Sequence, residues 1–280
     1  MKKQEIEQTE QTAIAVQDED DDSIMMATEN GVALGADISD EFPIRPFRIT
    51  LAQGLSDCVS KGLARPGEIV ETVTGQSWKE VELIVVQVKR TAVLWARELE
   101  DIQEDIPTDA GDPVCQSQDG KTGSYYGDCL NCQFCYKDWP IRDGKRRPPI
   151  CTEQMNFISM LGGLLVNVAM AKSSSGTGQG IYAQLRAFAD NKANPKPFFA
   201  HVFKLYAEEK IFPNKQKSFV FRAKWERPTT SEEFSVALAK YQELKNATVE
   251  IEHNAEDQQG GQPAEPAIPS APDWAGTTDC

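Results

Sequence analysis

The chain has little histidine and none of the common motifs of enzyme active sites. Only two of its 280 residues are histidine, His201 and His253. No Walker loop, dinucleotide-binding fingerprint or nucleophile elbow occurs. Aspartate and glutamate are plentiful, but no spacing among them singles out a catalytic pair. The sequence therefore predicts a protein that is not an enzyme. A metal-dependent nuclease stays open as an alternative, because the fold alone can bring its carboxylates together.

The chain also lacks a long hydrophobic run and a leader-like N-terminus. Its longest apolar run, residues 160–171, is interrupted by Gly162, Gly163 and Asn167. A membrane-spanning helix needs about 20 apolar residues, which this run does not reach. The opening Met-Lys-Lys-Gln-Glu-Ile-Glu contains no apolar core of a secretory signal. We expect a soluble, cytoplasmic protein with reduced cysteines and no membrane partner.

Charge is distributed unevenly along the chain. The net charge is -14, yet residues 1–42 hold 12 acidic residues against two lysines, and residues 248–280 hold 7 acidic residues and no base. The 205 residues between them carry 27 basic and 24 acidic residues. We expect a disordered acidic arm over residues 1–42, a core domain over 43–247, and a disordered acidic, proline-rich tail over 248–280. Such a tail can recruit proteins or compete with nucleic acid.

Cysteine is concentrated in one segment. Five of the seven cysteines fall within 37 residues: Cys115, Cys129, Cys132, Cys135 and Cys151. Cys129 and Cys132 have the spacing of a metal-binding knuckle, with Cys115 and Cys151 flanking it from separate loops. Zinc takes four ligands, so one of the five is surplus. We assign a structural Zn²⁺ to Cys115, Cys129, Cys132 and Cys151, and we leave out Cys135, which could exchange with Cys132. The zinc-binding insertion then spans about residues 112–152.

Three other uses of these cysteines are less consistent with the sequence than zinc. Disulfides require an oxidising compartment, for which the N-terminus gives no sign. An iron–sulfur cluster also takes four thiolates, but the spacings match neither ferredoxin pattern. Redox catalysis by a Cys-x-x-Cys pair needs a thioredoxin-like frame, which is lacking around this pair. Structural zinc is therefore the favoured interpretation.

Short β-branched segments bounded by glycine and proline predict a mainly β core with a few helices, an α+β protein. Strands are predicted over residues 48–53, 68–74, 81–88, 91–95, 156–161, 164–170, 198–206 and 218–226. The segment 91–95 either extends the strand before it or begins a new one. Gly162-Gly163 predicts a hairpin. Helices are predicted after the Ser/Gly-rich residues 173–180, and over 231–245 behind a Thr230/Glu233 capping box.

Residues 172–227 combine positive charge with aromatic rings. They contain 11 basic and 4 acidic residues. A groove that binds phosphates through Lys or Arg and stacks bases on rings needs this mixture. The plainer interpretation is that the rings form the core and the charges are merely solvated. The candidate nucleic-acid-binding residues of this region are Lys204, Tyr206, Lys215, Lys217, Arg222, Lys224 and Trp225.

A second basic cluster lies inside the cysteine segment. Between the predicted knuckle and Cys151 the chain contains Trp139, Arg142, Lys145, Arg146 and Arg147. A bound zinc ion would hold these cations together for contact with phosphates, although an ordinary solvated loop has the same composition.

Several segments in this order resemble a known group of proteins. They are Arg48–Gly54, Lys61–Gly67, Cys115–Gly123, and Cys129-Leu-Asn-Cys132 followed by Trp139 and Cys151. The chain is similar here, over roughly residues 43–227, to uncharacterised phage and mobile-element proteins associated with replication and recombination. These look like single-stranded-DNA-binding proteins built on an OB-like barrel with a zinc insertion. In that family the position of Cys135 is not a cysteine, which supports treating Cys135 as surplus.

Together, the residues and the resemblance predict a non-catalytic, single-stranded-DNA-binding protein of phage replication or recombination. It would act in the cytoplasm of a bacterial host, use zinc structurally, and recruit replication or recombination proteins through the acidic C-terminal tail. The main alternative is a zinc-stabilised adaptor that binds other phage proteins and has no affinity for nucleic acid.

Overall fold

The computed structural model of the protein describes residues 43–95, 113–135, 137, 149–212, 215 and 217–253, and the backbone of four short strands elsewhere. The chain divides into two units, Met1–Pro43 and Ile44–Cys280. In the first unit the structure describes Pro43 and the backbone of one hairpin, β1 (Thr28–Glu29) with β2 (Val32–Ala33). The rest of the predicted N-terminal arm, and the tail beyond residue 253, lie outside the described residues.

The second unit is mainly β with few helices, which confirms the predicted class: strands make up 44% of the structure and helices 23%. Its strands are β3 (Phe47–Leu51), β4 (Ile69–Glu71), β5 (Ser77–Trp78), β6 (Glu80–Trp95), β7 (Pro113–Ser117), β8 (Thr122–Gly123), β9 (Gly127–Asp128), β10 (Ile141–Arg142), β11 (Lys145–Arg146), β12 (Thr152–Leu161), β13 (Leu164–Ala171), β14 (His201–Ile211) and β15 (Lys217–Pro228). Its α-helices are α1 (Asp57–Ser60), α2 (Ser175–Ala189) and α3 (Ser231–Asn246). Within the described residues, no helix is both long and apolar enough to cross a bilayer.

One sheet curls into a half-barrel and organises the fold. Its strand order is β15-β14-β6-β12-β13-β3-β4-β5, and β7 pairs with β6 beyond the end of β14. The pair β13–β3 is parallel, whereas β6 is antiparallel to β12, β14 and β7. The segments 81–88 and 91–95 belong to one strand of 16 residues. This long strand connects the main core to the cysteine segment.

The hairpin between β12 and β13 has the predicted turn. Leu161 pairs with Leu164 across it, and Gly162 and Gly163 have φ values of 54° and 93°. Both central residues therefore lie in the left-handed region, which a two-residue hairpin turn of this kind requires and glycine adopts without strain.

Side-chain hydrogen bonds attach the outer edge of β15 to the segment after β3 and to the start of α2, where backbone pairing between strands stops. Gln53, after β3, donates from Nε2 to the carbonyl of Phe219 at 2.9 Å and accepts from the Phe219 amide at 2.9 Å. Near the start of α2, Ser174 accepts from the Phe221 amide at 3.1 Å, and Thr177 donates to the Phe221 carbonyl at 2.8 Å. These bonds satisfy backbone groups on the outer edge of β15, which would otherwise be open to pairing with another chain.

The sheet has apolar clusters on both faces. The inner face packs against α2 through Ile181 and Leu185. The opposite face is covered by α3 through Ala237 and Leu244. Helix α3 begins at the predicted capping box, in which the Thr230 side chain accepts from the Glu233 amide. A third, smaller cluster surrounds the cysteines.

The core extends past the predicted boundary at residue 247. Val249 and Ile251 are buried in the cluster beneath α3. Lys89 donates from Nζ to the Val249 carbonyl at 2.7 Å, and Gln118 donates from Nε2 to the Ile251 carbonyl at 2.9 Å. The acidic composition after residue 247 concealed these two apolar positions. Residues 248–253 therefore belong to the core and not to the tail.

The predicted start of α2 is wrong. The sequence predicts a helix that begins after the Ser/Gly-rich residues 173–180, but α2 begins at Ser175 and includes Gly178. A β-carbon added at Gly178 would lie 3.1 Å from Cβ of Met170 and 3.4 Å from the ring of Phe157. Glycine at this position therefore permits close packing of the helix on the sheet, which the sequence pattern alone does not distinguish from a flexible linker.

Candidate nucleic-acid interface and cysteine cluster

The five cysteines of the central segment line one small cavity. The cavity has a volume of about 20 Å³, and apolar side chains supply most of its remaining wall. It is lined by Leu94, Cys115, Tyr126, Gly127, Cys129, Cys132, Phe134, Cys135 and Cys151. No disulfide joins any two of these five cysteines. The structure thus brings together the four predicted ligands, and it brings Cys135 to the same place.

Strand pairing and short turns position Cys115 and Cys129. Cys115 lies in β7, which pairs with β6 at Leu94. The hairpin β8–β9 follows and delivers Cys129, whose amide donates to the Lys121 carbonyl at 2.8 Å. Asp119 accepts hydrogen bonds from the amides of Thr122 and Lys121, and these bonds lower the pKa of its carboxyl. Charge-assisted turn bonds of this type fix the loop without a large core.

The turn from Cys132 to Cys135 is compact. The Phe134 amide donates to Sγ of Cys132 at 3.4 Å, and the Cys135 amide donates to the Cys132 carbonyl at 3.0 Å. Cys135 is buried, with 4% of its surface exposed. The sequence interpretation placed the knuckle at Cys129–Cys132, whereas the hydrogen-bonded turn between two cysteines lies three residues later.

The thiols line the cavity without meeting at one point. Among the residues that the structure describes, no group of three or more His, Cys, Asp or Glu side chains is arranged so that it could hold a metal ion. Burial raises the pKa of the Cys129 thiol, and the neighbouring thiols of Cys115 and Cys132 raise it further. Deprotonation of one thiol is therefore coupled to the charge on its neighbours.

The basic cluster near Cys151 lies mostly outside the described residues. The backbone of β10 and β11 forms a hairpin in which Arg142 faces Lys145 and Ile141 faces Arg146. The predicted contacts Trp139 and Arg147 lie outside the described residues. The two cationic positions Arg142 and Lys145 are thus direct cross-strand neighbours in the backbone register.

Most predicted cations of β14 and β15 are engaged in ion pairs. The described pairs are Lys204–Glu80 at 3.1 Å, Lys204–Glu226 at 3.5 Å, Lys224–Glu226 at 3.2 Å, Lys217–Glu209 at 3.1 Å, and Arg222 with Glu208. The hydrogen bond to Glu80 is the main reason why the pKa of Lys204 is raised. Tyr206, half-buried, faces Arg222 across the two strands. The local excess of base is therefore largely neutralised on the sheet surface.

The far end of the β14–β15 hairpin differs from the rest of these strands. Beyond Tyr206, β14 pairs only with β15 among the described residues. We call the described residues 207–212, 215 and 217–221 the arm. Near its tip, Nζ of Lys210 lies 5.1 Å from the centre of the Phe212 ring, and the Lys215 amide donates to the Phe212 carbonyl at 2.8 Å. The arm therefore presents cations beside an aromatic ring at the end of the sheet.

The exposed ring of Trp225 is held in place by a buried side chain. It is 44% exposed, and its indole N–H donates to Nδ1 of His201 at 3.3 Å. His201 is buried and stacks on Phe188, with ring centres 3.9 Å apart. Burial lowers the pKa of His201, and the charge of nearby Lys196 lowers it further. Sequence analysis found Trp225 but not His201, Phe188 or Lys196, because they come from three separate segments.

Comparison with protein-family models, with curated proteins and with solved structures finds no match to this chain.

Proposed function

We propose that the chain binds single-stranded DNA without catalysis, as an OB-like body carrying a zinc-stabilised insertion. The observation that carries this proposal is the fixed, exposed ring of Trp225 with Lys196 close to its His201 partner. Stacking of a base on an aromatic side chain is worth about 1–3 kcal/mol and tolerates any base. A ring that is already held in place loses little entropy when a base stacks on it.

The arm supplies the second part of the interface. Lys210 and Lys215 have no ion pair among the described residues, whereas Lys204, Lys217 and Arg222 pair with acids. Cations at an exposed tip can contact phosphates without breaking an existing ion pair. A DNA strand that contacts both Trp225 and the arm would run along β15, as nucleic acid runs across the curved sheet of OB-fold proteins.

The biological setting follows from the resemblance alone. The segments Arg48–Gly54 and Cys115–Gly123 support a role in phage or mobile-element replication or recombination, within the cytoplasm of a bacterial host. The acidic C-terminal tail would recruit replication or recombination proteins. Acidic tails also compete with nucleic acid for a basic surface, so this tail would weaken the binding of DNA.

Zinc would serve as a structural element. Five thiols line one small apolar cavity at the end of β6, and thiolate is the ligand that structural zinc sites use most. Four thiolates would close the coordination shell and leave no position for water, so the ion would stabilise and not catalyse. Elemental analysis of the purified protein tests this directly: one equivalent of zinc is expected, and iron or no metal would contradict it.

A second candidate function is a protein–protein adaptor. The observation in its favour is that Leu55, Leu63 and Val73 are exposed in the loops after β3 and β4. Exposed apolar side chains of this size can mark a protein interface. The intramolecular ion pairs on β14 and β15 favour the same interpretation, because paired cations attract phosphate less.

Competition separates the candidates. A labelled 20-mer of deoxythymidine is bound first, and unlabelled single strand or duplex of the same length is then added. The proposal expects the single strand to displace the probe well before the duplex does, because bases in a duplex are not free to stack on Trp225. Equal competition, or no complex at all, would favour the adaptor. Cleavage of the probe on addition of Mg²⁺ or Mn²⁺ would instead indicate a nuclease.

A further inference from the structure

We infer that the open edge of the arm pairs with the same edge of a second copy of the chain. Two copies of β14 would then lie side by side, antiparallel, about a two-fold axis. The surface involved is the backbone edge of β14 over residues 207–211. Self-association through this edge does not depend on DNA binding, so either proposal can fail without the other.

Hydrogen bonds on β15 show which backbone groups of β14 point outward. The amides and carbonyls of Phe219 and Phe221 all bond to side chains from the segment after β3 and the start of α2, and so point away from β14. In an antiparallel pair, opposite residues either exchange both hydrogen bonds or both point away from each other. Phe219 faces Glu209, and Phe221 faces Ala207. The amides and carbonyls of Glu209 and Ala207 therefore point away from β15.

The strand on the outer side of β14 ends before these groups. The last pair between β14 and β6 is Tyr206 with Glu80. From Ala207 to Ile211, no strand flanks this side of β14 among the described residues. Backbone direction alternates along a strand, so residues 207, 209 and 211 all present an amide and a carbonyl here. Within the part of the chain that the structure describes, these groups have no hydrogen-bond partner. Side chains close the edge of β15, whereas the edge of β14 is open to another strand.

Charge selects one register for the pairing of two such edges. With Glu209 opposite itself, residues 207 and 211 face each other, and about six backbone hydrogen bonds form between the copies. In this register Glu208 of each copy faces Lys210 of the other. These two pairs fall at the positions without backbone hydrogen bonds, where opposite side chains are closest. Two opposite-charge contacts therefore accompany the backbone pairing.

The neighbouring registers are repulsive. A shift by two residues is the smallest that keeps the same backbone groups facing, and it places either Glu208 opposite Glu208 or Lys210 opposite Lys210. Glu209 does face its own copy in the favoured register, but it already pairs with Lys217 of its own chain at 3.1 Å. Charged residues on an edge normally prevent pairing. Here their order permits one antiparallel arrangement, which closes as a dimer and does not extend into a fibre.

Ile211 supplies an apolar contact. Its side chain is 63% exposed in the single chain. In the favoured register it lies opposite Ala207 of the second copy, and Ala207 packs against the main apolar cluster. The two-fold axis is perpendicular to the sheet, so side chains that share a face in one copy share it across the pair. Pairing would thus cover part of an exposed apolar side chain at the margin of the core.

Pairing would also affect the candidate DNA interface. Lys210 would face Glu208 of the second copy and not a phosphate, whereas Lys215 at the tip takes no part in the strand pairing. Self-association and DNA are therefore expected to compete for Lys210.

Sedimentation velocity of the full chain without DNA, over a series of protein concentrations, tests the pairing. The wild type is expected to shift from monomer to dimer as concentration rises. Glu209→Pro removes an outward-pointing amide that β15 does not use, so it should fold and remain monomeric. The matched control is Glu209→Ala, which loses the same carboxylate, keeps the amide, and should still dimerise.

Charge exchange tests the register. Glu208→Lys and Lys210→Glu should each be monomeric, because like charges then face each other in both cross-strand pairs. An equimolar mixture of the two variants should dimerise, since the lysines of one copy face the glutamates of the other. Recovery in the mixture also shows that neither variant merely failed to fold.

Three results would overturn the proposal. A wild type that stays monomeric at every concentration shows that the edge is unused or is occupied by another segment of the same chain. A dimer that persists in Glu209→Pro forms through a different surface. A mixture of the charge variants that stays monomeric, while the wild type dimerises, rules out this pairing of Glu208 with Lys210.

Discussion

Trp225 donates its indole N–H to Nδ1 of His201 at 3.3 Å. The bond requires an unprotonated Nδ1, which the lowered pKa of His201 maintains near neutral pH. Phe188 stacks on the face of the histidine ring. An exposed ring is thereby fixed by a buried neutral imidazole.

The first prediction concerns this ring. Trp225→Ala should weaken binding to oligo-deoxythymidine by about 1–3 kcal/mol, because one stacking surface is lost. Trp225→Phe should retain much of the affinity. The matched control is Tyr241→Ala, since Tyr241 is similarly exposed but lies on α3. Fluorescence polarisation measures both variants, and an equal loss in the two would contradict a stacking role.

The second prediction concerns the arm. Lys210→Ala with Lys215→Ala should reduce the slope of log affinity against log salt by about 1.4, at roughly 0.7 for each single-strand phosphate contact that is lost. The matched control is Lys61→Ala with Lys240→Ala, whose ammonium groups already pair with Asp57 and Glu243. If the control changes the slope as much as the arm variant does, the arm has no special role.

The third prediction concerns closure of the sheet. Gln53→Ala should lower the free energy of unfolding by about 2–3 kcal/mol, because the amide and the carbonyl of Phe219 both lose their partner. Gln76→Ala, at an exposed position, should change it by less than about 0.5 kcal/mol. Urea denaturation gives both values. If the two variants are equally stable, the hydrogen bonds from Gln53 do not stabilise the curled sheet.

The fourth prediction concerns pH. Burial lowers the pKa of His253 to about 4, and the charge of Arg48 contributes. The unfolded chain then binds more protons than the folded one between pH about 6.5 and pH about 4. Stability is therefore complete above pH about 6.5 and falls as pH is lowered through this window, by roughly 3 kcal/mol from this group.

His253→Gln tests the origin of that effect. The variant should lose less stability between pH 7 and pH 5 than the wild type does, since the titrating imidazole is gone. His201 has a lowered pKa as well and contributes with the same sign in both proteins. Thermal unfolding at the two pH values measures the difference, and identical pH profiles would exclude His253 as the cause.

Local signals predicted much of the fold. The Gly162-Gly163 turn and the Thr230/Glu233 capping box depend on neighbours within four residues, and both are present. The sequence did not predict the packing of Gly178 or Val249, because their partners are distant in sequence. The curl closed by Gln53 also depends on a partner 166 residues away. No periodicity within one segment reports such contacts.

In the candidate site, too, the sequence predicts local features but not contacts between distant segments. Spacing identified the cysteine segment, but it did not predict that Cys135 lines the same cavity as the four assigned cysteines. Composition identified a basic region, but Glu80 reaches Lys204 from β6 and neutralises part of it. The number of basic residues in a segment therefore overstates the positive charge that is available on the surface. Trp225 could be predicted as a contact, whereas its support by His201 could not.

Binding of the wild-type protein to a fluorescent oligo-deoxythymidine, measured by polarisation across a salt series, tests the central claim most directly. The account predicts saturable binding at low salt that weakens steeply and log-linearly as salt rises, because phosphate contacts release counterions. Absence of binding at low salt, in protein shown to be folded, would contradict it.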